Sequence, residues 1–433
     1  MKHIPQHVTQ LDVLMAGRRV GGLAMDARGV IWFAYDTGWV ERGLPLSPMK
    51  QFALSITPFK ASSAVFDQLH GVFNDALPDG WGLLLMDRYL KAAAGWSAHE
   101  ITPLDRLAYI GARAMGALEF RPVIKHHVTQ AAVSLDRLAE EAWLVQEDST
   151  ADVLGALYLY GGSPGGARPK VTVAMERGGQ ACISGFTDIP DNFEHWIVKY
   201  RSKDGDPESM GRIELAYARM ARAAGVDMPP TQLVQATVRG KTEDFFAVQR
   251  FDRIGNQRRH VISLGGMLEL THRAPSIDYS NLLKAVGFAT KDQREVSKAF
   301  RRMVFNVLAH NKDDHVKNFA FMQVGNDFVL TPAFDLTFSA GINNMHTTAI
   351  GGEGRPGLAD VWRVAQELGI DKADAVIQQV FEAVAGWRAF AAELQVPLEL
   401  TEDYGRAMSG EPCFAELAAR ADSVVPLSDG ESS

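Results

Sequence analysis

Residues 309–321 read AHNKDDHVKNFAF, and the interpretation of the whole chain depends on this stretch. Eight of the nine side chains at 310–318 are polar or charged before the chain returns to apolar residues, and six of them are of interest here: His310, Asp313, Asp314, His315, Lys317 and Asn318. Such a stretch could hold a metal ion, form a solvated turn, or supply half of a phosphoryl-transfer site. Strongly apolar segments flank it on both sides, which favours a loop that emerges from a core into a cleft.

The spacing of three oxygen-bearing residues favours phosphoryl transfer. Asp313 and Asn318 are five residues apart, the separation between the catalytic base and the metal-binding asparagine of the kinase loop HRDxxxxN. Asp335, in PAFDLTFS, lies 22 residues after Asp313, where the magnesium-binding aspartate of a kinase is expected. Oxygen ligands of this kind suit a hard cation that bridges phosphates.

Two upstream segments supply the other parts of such a site, in kinase order. Residues 160–170, YGGSPGGARPK, are rich in glycine, which lets the backbone approach phosphate closely, although the same stretch taken alone also suits a plain turn. It lacks the ending of a Walker motif. Lys199 lies in the apolar strand HWIVKY and either reaches solvent or meets a buried anion. Glu214, on the next helix, is its expected ionic partner.

Two other interpretations of the opening stretch compete with a kinase site. His310 and His315 could bind zinc, but positions five apart lie on different faces of a helix and no third soft ligand accompanies them. A solvated turn is the usual fate of a charged run, and we expect Asp314 at least to face solvent.

Composition indicates a globular protein with two or three domains, since the chain has 433 residues and domains average roughly 150. The formal net charge of -8 gives no overall attraction to nucleic acid. Two cysteines, Cys182 and Cys413, exclude a disulfide framework and a four-cysteine zinc site, which fits a reducing compartment. No apolar run suits a signal peptide or a membrane span, so we expect a cytoplasmic protein that does not contact membranes.

The order of secondary structure predicts an α+β, protein-kinase-like fold of two lobes preceded by a small module. Residues 11–35 alternate apolar runs with glycine turns and predict strands, whereas the spacing from Phe66 to Leu90 predicts helix. We place a small α+β subdomain at 1–125, a β-rich nucleotide-binding lobe at 126–255, an all-helical C-terminal lobe at 256–425 and a disordered tail at 426–433.

Several motifs together resemble the HipA family of serine/threonine kinase toxins. KDDHVKNFAF and LTPAFDL follow SPGGARPK, HWIVKY and VQRFDR in the family's order, and FNDALPDGWG with DRLAYIGARAMGALEFRP resembles its N-terminal domain. The resemblance covers nearly the whole chain. It departs at Pro164 and Pro169, two prolines that would stiffen the glycine-rich loop.

The resemblance assigns a role to each matching position. It implies that Asp313 is the catalytic base, that Lys317 neutralises the transferred group, and that Asn318 and Asp335 bind Mg²⁺. Ser163 matches the serine that these kinases autophosphorylate, an event that expels the loop and switches the enzyme off. Glu214 supports the phosphate-binding lysine, Lys199. The implied ATP-binding residues are Gly165, Gly166, Ala167, Arg168, Pro169, Lys170, Lys199, Gln249, Arg250, Phe251, His315, Asn318 and Asp335.

Three of the neighbouring residues are open to other roles. His315 could equally pack under the loop, and Arg250 is expected to form an ion pair with Asp252 that fixes the hinge. Ser263 could cap a helix or line the cleft.

The function implied by the resemblance is an ATP- and Mg²⁺-dependent protein kinase, the toxin of a type II toxin–antitoxin system. Its expected partners are a small HipB-like helix-turn-helix antitoxin, operator DNA reached only through that antitoxin, and a protein substrate such as an aminoacyl-tRNA synthetase. Two alternatives stay open: a catalytically silent, kinase-like corepressor that acts with its antitoxin, and a small-molecule kinase.

Overall fold

The computed structural model describes residues 6–61, 64–124, 134–147, 157, 160, 165–179 and 181–424. Ser163, Pro164 and the predicted tail at 426–433 lie outside the described residues. The chain divides into two compact units. Unit 1 comprises residues 1–215, 229–271 and 319–331, and unit 2 comprises residues 216–228, 272–318 and 332–433.

Unit 1 begins with an antiparallel sheet, which two short helices, α1 and α4, contact. The glycine turns predicted from the sequence connect its first strands, and β1 also pairs with β5 at the end of the module. The strand order is β4-β3-β2-β1-β5. Its elements are β1 (Gln10–Met15), β2 (Arg18–Met25), β3 (Ile31–Tyr35), β4 (Phe59–Lys60), β5 (Leu118–Arg121), α1 (Thr37–Val40), α2 (Gly71–Asn74), α3 (Gly80–Ala94) and α4 (Pro103–Ile110).

A second five-stranded sheet in unit 1 carries the upstream motifs, in the order β7-β6-β8-β10-β9. The predicted hairpin around Gly178 is present, and β8 contains the HWIVK segment. Helix α5 and buried aromatic residues such as Trp196 and Tyr200 cover one face of the sheet. These elements are α5 (Leu135–Gln146), β6 (Lys170–Glu176), β7 (Cys182–Ser184), β8 (Phe193–Lys199), β9 (Thr231–Val238) and β10 (Lys241–Gln249).

The rest of unit 1 consists of short strands and one short helix. β11 (Arg253–Ile254) pairs with β12 (Gln257–Arg258), and β14 lies between β13 and β15 in a three-stranded sheet. Ser263 caps helix α7, because its hydroxyl accepts a hydrogen bond from the Gly266 amide at 2.9 Å. These elements are β13 (Val261–Ser263), α7 (Leu264–Leu268), β14 (Ala320–Val324) and β15 (Asp327–Leu330).

Unit 2 is helical, and its described residues contain isolated β-bridges but no strand. Helix α6 (Met210–Ala223) runs across the boundary between the units and ends before Gly225, as its apolar spacing predicts. The remaining helices are α8 (Tyr279–Thr290), α9 (Gln293–Leu308), α10 (Leu358–Glu367), α11 (Ala373–Ala385), α12 (Trp387–Glu393), α13 (Leu398–Ser409) and α14 (Pro412–Val424).

The predicted fold class of mixed sheets and helices is confirmed. The C-terminal lobe predicted at 256–425 is not all-helical, however, because β12, β13, β14 and β15 lie between residues 257 and 330. The predicted domain boundaries at residues 125 and 255 stay predictions. No helix within the described part of the chain is long and apolar enough to cross a membrane.

Two buried histidines of unit 1 predict a loss of stability in acid. Burial lowers the pKa of His260 and of His70 from 6.5 to about 4, so both rings stay neutral in the folded protein. In the unfolded chain both histidines are protonated with a pKa of about 6.5. Their contribution to the free energy of unfolding is therefore fully present above that pH and is lost as the pH falls towards 4. We expect each ring to contribute up to about 3 kcal/mol of this loss.

Urea unfolding measured across this pH range tests the expectation. His260→Gln retains a donor for the Leu46 carbonyl, which His260 Nε2 contacts at 2.8 Å, and should flatten the pH dependence. The exposed His99→Gln variant is the matched control and should leave the slope unchanged. Equal slopes for His260→Gln and the unmodified protein would contradict the assignment.

Candidate functional site

Two neighbouring strands of unit 1 place two lysines side by side. Lys199 ends β8 and lies directly opposite Lys170, the first residue of β6. Like charges directly opposite in a sheet repel each other, so this arrangement is unfavourable unless anionic groups lie close by. Both side chains are largely buried, Lys199 at 11% and Lys170 at 3% exposure.

Glu214 supplies one of these anionic groups. Its carboxylate lies 3.3 Å from Lys199 Nζ and also accepts a hydrogen bond from Arg168 Nη1 at 2.9 Å. The Arg168 guanidinium also donates to Asp206 at 3.0 Å. The structure therefore brings together the predicted lysine, its predicted glutamate on α6 and an arginine of the glycine-rich loop.

The described part of the glycine-rich loop, residues 165–170, is hydrogen-bonded to the N-terminal module. The Gly166 amide donates to the Asp79 carboxylate, and the Trp81 amide donates to the Gly166 carbonyl at 3.1 Å. Asp79 is the N-cap of α3, but its side chain makes no capping hydrogen bond to that helix. A Cβ on Gly165 would lie 2.9 Å from the Asp79 carboxylate, so a larger residue there would require the Asp79 side chain to shift. The Lys170 ammonium donates to the Gly165 carbonyl.

The predicted hinge, Gln249–Phe251, leaves the end of β10 and is fixed by a buried ion pair. Arg250 donates to Asp252 through Nε at 2.9 Å and through Nη2 at 2.7 Å, and neither side chain is exposed. Asp252 also accepts from Arg253 at 2.6 Å and from the Gly116 amide at 2.7 Å. Although burial alone would raise the pKa of Asp252, the two guanidinium groups hold it well below its usual range. The expected Arg250–Asp252 pair is thus present.

The stretch 309–318 lies in unit 2 and begins where α9, a helix with many buried side chains, ends. His310 has a φ of 54°, in the left-handed region, which turns the chain away from the helix axis. A single 3₁₀ turn follows at Val316–Asn318. The loop between these two points carries the predicted catalytic base.

Asp313 and Asn318 are joined within this loop. The Asn318 side-chain amide donates to the Asp313 backbone carbonyl at 2.6 Å, which leaves the Asn318 amide oxygen as an acceptor. The Asp313 side chain is 62% exposed, and its carboxylate lies 3.8 Å from His315 Nε2. An exposed carboxylate held on an ordered turn is suited to accept a proton from a substrate hydroxyl.

Asp314 does not face solvent, so that expectation is wrong. It is buried and accepts hydrogen bonds from Tyr279 Oη at 2.8 Å, His346 Nδ1 at 2.8 Å and the Thr348 amide at 3.1 Å. The Thr348 hydroxyl also donates to the Asp314 carbonyl at 2.6 Å. A buried carboxylate needs such partners, and here they come from residues far away in the sequence.

Asp335 lies in a non-helical segment of unit 2 and has an unusual backbone conformation. Its φ is 56°, in the left-handed region that is uncommon for residues other than glycine, although aspartate adopts it more readily than most. The segment is held at both ends, because the Ala333 amide donates to the Asp227 carbonyl at 2.7 Å and the Ser339 amide donates to the His310 carbonyl at 3.1 Å. Strain held in place by surrounding bonds is common at functional sites.

His315 and Lys317 flank the 3₁₀ turn. The His315 ring lies 5.4 Å from the His272 ring, centroid to centroid, and its side chain is 18% exposed. Partial burial beside another ring suits a packing role. The ATP-binding role for His315 and the charge-neutralising role for Lys317 stay predictions.

The predicted metal ligands, Asn318 and Asp335, have the chemistry that magnesium requires. The histidines of this stretch are not arranged as a zinc site. An asparagine oxygen and the Asp335 carboxylate are hard oxygen donors of the kind that magnesium uses together with phosphate oxygens. His310 Nδ1 lies instead 2.7 Å from the Glu411 carboxylate. Across the described ranges, no group of three histidine, cysteine or acidic residues could hold a metal.

Lys312 and Glu411 form a buried ion pair that was not predicted from the sequence. Lys312 has no exposed side-chain surface, and its ammonium lies 2.7 Å from Glu411, which is 2% exposed. Although burial alone would raise the pKa of Glu411, hydrogen bonds from His310 and Lys312 lower it to about 2. No local pattern predicts this pair, because the two residues are almost 100 positions apart. The one hint was a lysine followed by two aspartates between apolar segments.

Two models of known protein families match this chain. The model of the HipA-like C-terminal domain matches residues 162–387, more than half of the chain, and the model of the HipA N-terminal domain matches residues 11–121. The chain therefore belongs to the HipA family.

Individual relatives have low sequence identity to this chain, but the alignments cover most of its length. The Sinorhizobium fredii protein named "Putative kinase Y4mE" is 24% identical over 416 residues, which cover 91% of this chain and 87% of that protein. Another protein of the same organism, "Putative kinase Y4dM", is 26% identical over 348 residues, covering 76% and 77%. Among solved structures, HipA of Shewanella oneidensis, in a complex with HipB and operator DNA, matches with a TM-score of 0.67. It is 17% identical, with 94% of this chain and 99% of that chain covered, so the likeness supports the fold alone.

Proposed function

We propose that this chain is an ATP- and Mg²⁺-dependent serine/threonine protein kinase of the HipA type, the toxin of a toxin–antitoxin pair. The observation that carries the proposal is the loop in which Asn318 bonds the backbone of an exposed Asp313. Membership of the HipA family and two relatives named as kinases support it.

The residues of the chain divide the reaction between them. ATP supplies the phosphoryl group, and Mg²⁺ neutralises charge on its phosphates. Asn318 and Asp335 provide oxygen ligands for the metal. Asp313 accepts the proton of the acceptor hydroxyl, and Lys317 neutralises the transferred group.

Unit 1 contributes the nucleotide-binding residues of the proposal. Lys199 orients the phosphates, and Glu214, 3.3 Å from its ammonium, holds the lysine in place. Residues 165–170 contact the phosphates, and Gln249–Phe251 contact the adenine. Most of the rate enhancement then comes from positioning and electrostatics, as in other phosphoryl transfers.

The proposed partners follow from the composition of the Shewanella complex. That HipA was solved with HipB and operator DNA, so we propose a small HipB-like antitoxin for this chain. DNA contact would run through the antitoxin, which agrees with the net charge of -8. The proposed substrate is a protein, such as an aminoacyl-tRNA synthetase.

Autophosphorylation tests the proposal directly. After incubation with ATP and Mg²⁺, mass spectrometry should find phosphate on Ser163, and Ser163→Ala or omission of Mg²⁺ should remove it. A phosphate there adds nearly two negative charges to the loop that meets ATP, so the modified protein should bind ATP more weakly.

Two controls and one contrary result sharpen this experiment. Ser202→Ala, at a serine just after β8, should leave the phosphate on Ser163 unchanged, whereas Asp313→Ala should abolish it. Nucleotide binding without transfer to Ser163 or to any protein in a lysate would favour the silent corepressor instead.

A further inference from the structure

Glu411, the residue just before α14, contacts basic side chains from two segments of unit 2. One segment precedes Asp313 and the other follows Asp335. His310 Nδ1 and Lys312 Nζ each lie 2.7 Å from its Oε1, and Arg355 Nε lies 3.8 Å from its Oε2. His310 and Lys312 precede Asp313 in the chain, whereas Arg355 follows Asp335. One buried carboxylate thus contacts the chain on either side of the residues proposed for chemistry.

Lys312 extends this arrangement to the segment after Asp335. Its ammonium donates to the Asn344 carbonyl at 2.8 Å and to the Asn344 side chain at 2.6 Å. Its backbone amide donates to the Ser339 carbonyl at 3.2 Å, and its carbonyl accepts from the Thr347 amide at 3.1 Å. Lys312 therefore has every polar group of its side chain and backbone engaged.

The consequence falls on Asp313, which lies between two fixed residues. Lys312 is held by Glu411, Asn344, Ser339 and Thr347, and Asp314 is held by Tyr279, His346 and Thr348. The two residues next to Asp313 in the chain are thus both held in place, and they fix the turn that carries its exposed carboxylate. A charged pair at this depth is an expensive way to stabilise a fold, since apolar residues of similar volume often serve as well.

We propose that Glu411 and Lys312 are positioning residues, through which the start of the last helix holds the catalytic loop in its productive geometry. This inference rests on the proposed kinase function. Small displacements of a reacting group cost large factors in rate, so loss of the pair should act on turnover. ATP affinity should change little, because most of the proposed nucleotide contacts lie in unit 1.

Glu411→Gln tests this inference, since glutamine keeps the shape and removes the charge. We expect the kcat for phosphorylation to fall roughly 10- to 100-fold while the KM for ATP changes less than about threefold. Hydrogen exchange should quicken at the amides of Ser339 and Thr347, which are bonded to the loop.

Two other variants separate positioning from mere loss of stability. Val380→Ala removes buried apolar volume from α11 and lowers the melting temperature, but should leave exchange in the loop and kcat at 25 °C unchanged. Asn344→Gly removes one Lys312 contact at a residue with a φ of 58°, which glycine adopts readily. It should fold even if Glu411→Gln does not, and should give a smaller fall in kcat.

The results decide the inference in either direction. A lower kcat with faster loop exchange in Glu411→Gln and Asn344→Gly, but not in Val380→Ala, supports it. Unchanged loop exchange in the first two variants overturns it, and so does faster exchange with full turnover. If the unmodified protein transfers no phosphate, the proposed function fails by itself, while the exchange measurement still decides whether the pair holds the loop.

Discussion

Asp313→Asn is expected to lower the rate of phosphoryl transfer by roughly 10²- to 10⁴-fold, the usual contribution of a general base. Asparagine has nearly the same size, but its amide cannot accept the proton of a substrate hydroxyl. The side chain is 62% exposed, so the fold should survive the substitution. The initial rate of phosphate incorporation from labelled ATP measures the effect.

A matched variant and two binding measurements make this result specific. Asp371→Asn alters an exposed aspartate of unit 2 and should retain full activity. For Asp313→Asn, the dissociation constant for Mg·ATP and the melting temperature should both stay close to those of the unmodified protein. Asp313→Asn protein that retains more than a tenth of the activity would refute the role of Asp313 as base.

Local sequence patterns predicted most elements of this fold, because the patterns reflect forces that act over a few residues. The hairpin around Gly178, the strand HWIVK and the helix that ends before Gly225 are all present. Local patterns did not predict the pairing of β1 with β5, because that register depends on packing across about 100 residues. The same limit applies to the division of the chain into two units, because each unit is built from segments that are separated in the sequence.

The candidate site was predicted where its chemistry requires particular residue types at fixed spacing. Lys199 with Glu214 and Asp313 with Asn318 were predicted in this way, and the structure places the members of each pair in contact. Their roles in the reaction stay predictions. The expectation for Asp314 failed, because a charged run was assumed to be solvated, while Tyr279 and His346 satisfy this carboxylate from afar. Long-range pairs of buried charges leave no periodic signal in one sequence.

Asp252→Asn is expected to destabilise the protein by about 3–5 kcal/mol, the usual cost of breaking a buried ion pair. Asparagine would leave Arg250 and Arg253 buried without an anionic partner and would turn an amide donor towards one of them. It would also weaken the bond to the Gly116 amide, which joins the N-terminal module to the hinge. Urea unfolding followed by tryptophan fluorescence measures the change.

An exposed ion pair of unit 1 provides the control for this prediction. Asp12 lies 2.8 Å from Arg19, with about half of each side chain exposed, so Asp12→Asn should cost less than about 1 kcal/mol. The difference between the two variants follows from burial, since water can solvate Arg19 but cannot reach Arg250. If Asp252→Asn proved no more costly than Asp12→Asn, the buried pair would not be what fixes the hinge. In that case the position of Gln249–Phe251 would have to depend on the strand register of β10 alone.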